Sequence, residues 1–255
     1  MLLAIDVGNT NTGFAVCDGD AIRKSWRLRT DSVRTADEYA AFLNQLLGLE
    51  KLAFNNIKAM IVSSVVPEVN FHLSAFSREY LKCDARFVDK DSVGVAIDLE
   101  RPEDVGADRL VNALAVLKHY SAPAIVIDFG TATTFDVVGA GGTYKGGVIA
   151  PGINLSVSAL HAAAAKLPKV SVEKPGAVVG RSTKGAIQSG IFYGYLGLIE
   201  GIVKRISDEM GGEKPFVLAT GGLAPLFAAD TNVIDAVDDD LTIKGLIEIQ
   251  KRMKG

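Results

Sequence analysis

Two short stretches of the sequence carry residues whose types and spacing suit chemistry on an anion. In "LLAIDVGNTNTG" (2–13) an apolar run ends in Asp6 and passes straight into Val7, Gly8, Asn9, Thr10, Asn11, Thr12 and Gly13. In "AIVIDFGTATTFDVVG" (124–139) a second apolar run ends in Asp128, followed by Gly130, Thr131 and Thr134. Glycine lets the backbone approach a ligand closely, and successive N–H groups in a turn form a nest for negative oxygen. The hydroxyls of Thr10, Thr12, Thr131 and Thr134 and the amides of Asn9 and Asn11 add neutral donors. Two such turns suit a polyphosphate. The acid closing each strand would repel phosphate, so Asp6 and Asp128 read as carboxylates that work with a cation, Mg²⁺ or a monovalent ion.

The two stretches are copies of one pattern. Asp6 aligns with Asp128, Gly8 with Gly130 and Thr12 with Thr134, at an offset of 122 positions in a chain of 255. This predicts two similar lobes, each opening with a strand–turn–strand hairpin, with the two turns facing each other across a cleft. The chain has no G-x-x-x-x-G-K-[ST] and so no P-loop. "GNTNTG" lacks both the glycine order and the following helix of a dinucleotide-binding turn.

A third stretch, "VGADR" (105–109), opens a helical pattern. An acid in a first helical turn is ordinarily a capping and dipole feature. Here Gly106 permits close approach of a substrate, and Arg109 can grip a carboxylate or phosphate in bidentate fashion. Asp108 beside that clamp suits a general base that accepts a hydroxyl proton. "LATGGLA" (218–224) is a strand and a Gly-Gly turn that could lie against a base or ribose. His72, His119 and His161 read as partly exposed helix residues, and Asp238–Asp240 as a solvated turn.

The elements that must position these residues follow from pattern. Strands are expected at 2–6, in "FAVCDG" and at 21–30, joined by an Asp18-Gly19 turn. Thr35 and Glu38 have capping-box spacing ahead of a helix. A strand over 57–66 stops at Pro67, a helix covers 67–82, and a short strand lies at 85–89. Helices are expected at 102–120, with Leu110, Val111, Leu114 and Leu117 on one face, at 153–167, 183–210 and 242–253. A strand, turn and helix start fall in "PFVLATGGLAPLF", and 168–182 is a loop. Alternating strands and helices give an α/β fold, divided near residue 118 into lobes 1–118 and 119–255. Gly190, Gly194 and Gly197, with Tyr193 and Tyr195, make a small-residue face that suits lobe core or a dimer seam.

Composition narrows the partners. A formal net charge of −3 gives no basic field for nucleic acid or anionic lipid. Two cysteines, Cys17 and Cys83, have no metal-type spacing and suit free thiols in a reducing compartment. The start of the chain lacks the basic segment of a signal peptide, and no run is expected to approach the length of a membrane span. A cytoplasmic protein is expected.

At this point the sequence resembles the type III pantothenate kinases of bacteria. "IDVGNTNT", "SSVVP" (63–67), "VGADR", "IDFGTATTFDVV", "GGVIAPGI", "AIQSGIFYGYLGLIEGIV", "ATGGLA" and "LTIKGL" (241–246) match in the family's order. The resemblance implies the actin-like ATPase and sugar kinase fold, two ribonuclease H-like lobes with a central nucleotide cleft. It implies ATP-dependent phosphorylation of the primary hydroxyl of pantothenate to 4'-phosphopantothenate, the first committed step toward coenzyme A. By position, Asp108 is then the proton acceptor, and Gly106, Ala107, Asp108 and Arg109 contact pantothenate together with Thr183. Asp6 to Gly13 line the ATP phosphates, with Asp6 near Mg²⁺. Thr131 contacts ATP, and Asp128 binds a monovalent cation, K⁺ or NH₄⁺. The resemblance also implies a homodimer, with the 183–210 helix as interface candidate. Two positions depart from the family: Leu99 stands where a pocket-lining Tyr is usual, and Ser182 where Asn or Asp is commoner. The other readings are a kinase or polyphosphatase of the same fold with a different acceptor, and a non-catalytic regulator that kept the fold.

Overall fold

The computed structural model describes residues 1–163, 168–211 and 214–253. The chain forms two compact units. The first comprises Met1–Val95, Arg101–His119 and the segment from Leu241 onward; the second comprises Ala96–Glu100 and Tyr120–Asp240.

In the first unit the opening hairpin forms from β1 (Leu2–Val7) and β2 (Asn11–Asp18), and β3 (Ala21–Arg29) follows through the Asp18-Gly19 turn. Helix α1 (Ala36–Leu49) starts at the expected capping box: the Thr35 side chain accepts from the Glu38 N–H, and Glu38 returns to the Thr35 N–H. Strand β4 (Ala59–Ser64) stops just before Pro67, which begins α2 (Pro67–Phe76). The helical path expected to run to 82 changes to a π-helical turn over Ser77–Leu81. Strand β5 (Ala85–Phe87) and the short α3 (Lys90–Val93) lead to α4 (Ala107–His119). That helix begins five residues later than expected. Pro102–Asp104 form a 3-10 turn, and Val105 is extended, which separates that turn from α4.

The sheet order is β3-β2-β1-β4-β5. Strand alternation sends Leu3, Ile5, Phe14, Met60 and Val62 into a core with Tyr39 and Leu43 of α1 and Leu73 of α2.

In the second unit, β6 (Ala124–Phe129), β7 (Ala132–Val138) and β8 (Tyr144–Pro151) form an antiparallel meander, followed by α5 (Ile153–Ala163). The expected continuation of α5 through 164–167 lies outside the described residues. Helix α6 (Thr183–Glu209) is capped by the Ser182 side chain, which accepts from the Gly185 N–H at 3.1 Å. Strand β9 (Phe216–Thr220), α7 (Ala224–Ala228) and the short β10 (Ala236–Val237) complete the unit. Its sheet order is β10-β9-β6-β7-β8, the same pattern of connections as in the first unit. The sequence repeat is therefore a repeat of architecture.

A single cut after residue 118 does not describe these units. The last helix, α8 (Leu241–Arg252), packs on α4, β1 and β4 of the first unit. The Thr242 hydroxyl donates to Asn112 Oδ1 at 2.8 Å, and Arg252 Nη1 donates to the Val93 carbonyl at 2.8 Å. Gly245 lies so close to the Val111 carbonyl that any side chain there would collide with it. This second helical layer explains why α4 is buried continuously from Leu110 to Val116, rather than along a single stripe.

Two sequence expectations need correction. Helix α6, with 27 residues and mean hydropathy 1.2 over its most apolar window, is long and apolar enough to cross a membrane by length and composition. Its Phe192, Tyr195, Ile199, Val203 and Ile206 join the core of the second unit, and 33% of that window is buried. Asp238 is buried and accepts from the Tyr120 hydroxyl at 2.8 Å and from the Asp240 N–H at 3.1 Å. The Asp238–Asp240 run is therefore no simple solvated turn.

Candidate active site

In the first unit the turn Gly8–Thr10 joins β1 to β2, and the Gly8 N–H donates to the Asn11 carbonyl at 3.0 Å. Asn9, Thr10 and Asn11 are exposed, as a ligand-facing turn requires. The turn is braced from β3's end: the Thr30 hydroxyl donates to the Gly8 carbonyl at 2.6 Å, and the Thr30 N–H to the Thr10 carbonyl at 2.9 Å. Thr12 is fully buried, with its hydroxyl 2.9 Å from that of Thr30. Sequence reasoning did not find Thr30, because nothing local marks it as a brace.

The register corrects the alignment of the repeats. Asp6 pairs with Gly13, whereas Asp128 pairs with Thr134. The first turn is one residue longer than the second, so the counterpart of Thr134 is Gly13, and that of Thr12 is the fully buried Thr133. A slip of one residue moves a side chain to the other face of a sheet. Thr12 therefore shares the core face with Val7, while Gly13 lies beside Asp6.

One row crosses the first sheet from Arg27 on β3 through Gly13 and Asp6 to Ser63 on β4. Residues aligned in this way present side chains on the same face. With no side chain on Gly13, the Arg27 guanidinium acts on Asp6 and favours its charged form. Two stronger influences oppose it: burial, and the negative charge of Asp108. The Asp6 carboxyl is pushed up to about 7. Asp6 and Asp108, far apart in sequence, are thus brought into one electrostatic neighbourhood.

Asp108 sits in the first turn of α4, partly buried, with Oδ1 accepting from the Arg109 N–H at 2.9 Å. The carboxylate folds back over Gly106, where a β-carbon would collide with it. Glycine there leaves the acid room to fold back, a more specific reason than substrate access. Ala107 and Arg109 are also partly buried.

In the second unit the row across the sheet is Thr134, Asp128 and Thr220. The β6–β7 turn carries exposed Thr131, and the Gly130 N–H donates to the Ala132 carbonyl at 3.1 Å. Two glycines support this turn. Gly152 packs against the Thr131 carbonyl too closely for any side chain, and Gly221, at φ +91°, would place a β-carbon 3.0 Å from Asp128 Oδ1. The Gly-Gly turn of "LATGGLA" is thus fitted against Asp128. The Thr134 hydroxyl donates to Asp136 Oδ2 at 3.1 Å, and the buried Tyr144 hydroxyl donates to Oδ1 at 2.7 Å. Thr183 is exposed at the head of α6. Leu99 packs on Gly146, where a β-carbon would lie 2.9 Å from Leu99 Cδ2.

A divalent ion fits the first unit. A carboxyl made reluctant to ionise by burial and a neighbouring acid regains its charge beside a cation. Among the described residues there is no cluster of three or more His, Cys, Asp or Glu that could hold a metal. This donor set suits Mg²⁺, which usually takes one or two carboxylates, with phosphate and water filling the rest of its shell.

The family model described as type III pantothenate kinase matches residues 2–205. The chain belongs to the type III pantothenate kinase family. The type III pantothenate kinase of Paramagnetospirillum magneticum is 60% identical over 99% of this chain and 97% of its own length. That of Rhodospirillum rubrum is 55% identical over 99% and 98%. Among solved structures, the ethanolamine utilization protein EutJ from Carboxydothermus hydrogenoformans is 15% identical, covers 96% of this chain and 88% of its own, and has a TM-score of 0.58. That likeness supports the fold: two ribonuclease H-like lobes of the actin-like ATPase and sugar kinase class. As a member of the type III pantothenate kinase family, the protein is a phosphotransferase that uses ATP to phosphorylate pantothenate in coenzyme A biosynthesis.

Proposed function

We propose that Asp108 accepts the proton of the primary hydroxyl of pantothenate as that oxygen attacks the γ-phosphorus of ATP. The observation that supports this reading is the placement of Asp108 in the first turn of α4, its carboxylate folded over Gly106 and near enough to Asp6 for the two charges to interact. Phosphoryl transfer asks little covalent chemistry of the protein, mainly positioning and charge compensation.

The turn Asp6–Gly13 contributes backbone N–H groups and exposed Asn and Thr side chains to the ATP phosphates, and Thr131 is assigned to ATP by its place in the equivalent turn. Gly106, Ala107, Arg109 and Thr183 serve pantothenate, Arg109 through its carboxylate. Asp6 would hold Mg²⁺ together with ATP, and Asp128 a monovalent cation, K⁺ or NH₄⁺. These ions, when bound, supply positive charge against the phosphates. Support for Asp128 comes from its place, equivalent to Asp6, and from the oxygen-bearing Thr134 and Thr220 in its row.

We further propose a homodimer, since α6 has Gly190, Gly194 and Gly197 exposed with open space above each, and a cytoplasmic location, which Cys17 and Cys83, neither of them in a disulfide, suit.

The test is ADP release with pantothenate, Mg-ATP and K⁺, set against a panel of sugars and acetate, for wild type and Asp108→Asn. Turnover confined to pantothenate and lost in the variant is expected. Near wild-type turnover by Asp108→Asn removes Asp108 from the role.

A further inference from the structure

The motif "SSVVP" has no part in the mechanism above, yet Ser63 lies in the same row as Asp6. The two are aligned across the parallel pair β1–β4. Aligned residues on neighbouring strands stand about 4.8 Å apart and share a face. Ser63 is 1% exposed, and its hydroxyl has no hydrogen-bond partner among the described residues. A buried hydroxyl without a partner costs stability, and native structures hold few of them. The second unit repeats the arrangement: Thr220, at the end of β9, is aligned with Asp128 across the parallel pair β6–β9. A hydroxyl beside the strand-end acid is thus built twice, on the equivalent strand of each sheet.

We infer that Ser63 is a positioning residue for Asp6, its hydroxyl donating to the Asp6 carboxylate when Mg-nucleotide is bound. The inference rests on the assignment of Asp6 to Mg-ATP. A carboxylate that turns one lone pair toward a cation needs its remaining oxygen held, and a hydroxyl from the neighbouring strand does this without adding charge. Without such an acceptor, a buried hydroxyl is a cost to the fold. Arg27 on the other side of Asp6 and Asp108 from α4 are the charged groups that share the neighbourhood, and neither leaves Ser63 redundant: Arg27 is exposed on an outer strand, and Asp108 is itself an acceptor.

The test compares Ser63→Ala, Ser63→Thr and Asp6→Asn with wild type in two measurements, steady-state kinetics and thermal melting with and without Mg-ADP. Loss of one hydrogen bond to a charged group corresponds to a rise of about tenfold or more in KM for Mg-ATP. Ser63→Ala is expected to show that rise, with KM for pantothenate and saturated kcat near wild type. Its nucleotide-free Tm should equal or exceed wild type, while the upward shift in Tm given by Mg-ADP shrinks. Ser63→Thr, which carries the side chain of the equivalent position in the second unit, should restore the KM. An unchanged KM for Mg-ATP in Ser63→Ala, alongside a large effect of Asp6→Asn, would overturn the inference about Ser63 alone. A fall in nucleotide-free Tm with an unchanged Mg-ADP shift would also overturn it, by making the hydroxyl part of the fold only. Wild-type nucleotide kinetics in Asp6→Asn would instead remove the assignment of Asp6 on which it rests.

Discussion

The charge of Asp108, in the first turn of α4, raises the proton affinity of Asp6, at the end of β1. Burial raises it further still, and the pH dependence of stability should show the sum. Asp6 moves from an ordinary 3.8 to about 7 on folding. Between those values the folded chain keeps a proton that the unfolded chain has released, so stability falls as pH rises. The contribution is fully present below pH 3.8 and lost by the time pH passes about 7. Melting curves of wild type and Asp6→Asn from pH 4 to 8 should diverge across this window, with wild type losing Tm relative to the variant as pH rises. A constant difference would contradict the raised proton affinity of Asp6, to which burial contributes more than Asp108.

Asp108→Asn tests the other partner. It keeps the shape of the side chain but cannot accept a proton, and kcat should fall by about 10²–10⁴-fold, the usual worth of a general base. KM for Mg-ATP should change little. The same variant removes a charge that raises Asp6, so the pH window above should shift downward.

A pair of glycine variants separates site geometry from fold. In Gly106→Ala the new methyl meets the movable end of the Asp108 side chain. The acid is displaced at small cost, so turnover should drop while Tm stays near wild type. In Gly245→Ala the methyl meets the Val111 backbone carbonyl, which cannot step aside. Overpacking of this kind costs about 1–3 kcal/mol, and the variant should melt lower. Equal Tm losses in the two would show that the site and the helix seam are not separable.

The Asp128 assignment predicts cation dependence. Replacing K⁺ with tetramethylammonium at constant ionic strength should slow turnover, and Asp128→Asn should make the rate insensitive to the replacement. Wild type indifferent to the swap would count against the assignment.

The sequence made the two strand-end acids, the Gly-rich turns and Asp108 visible because each is signalled locally: an apolar run that ends in an acid, glycines beside it, a helix start. The repeat also announced two like sheets. What escaped notice depends on pairing across strands. The one-residue difference in turn length, which puts Gly13 and not Thr12 beside Asp6, appears only in the register. Arg27 sits on an exposed strand among other charged residues, where no local pattern distinguishes it. Ser63 reads as an ordinary strand terminus until β1 is laid against it. The late start of α4 was hidden because Pro102, Glu103 and Asp104 suit a helix's first turn, whereas they form a 3-10 turn of their own.

The return of α8 to the first unit has a consequence for synthesis. Its covering layer over α4, β1 and β4 is encoded after the whole of the second unit. During translation the amino-terminal sheet waits, with one flank uncovered, until the final helix leaves the ribosome. Any stop codon upstream of Leu241 would strand that flank in water, a state prone to aggregation.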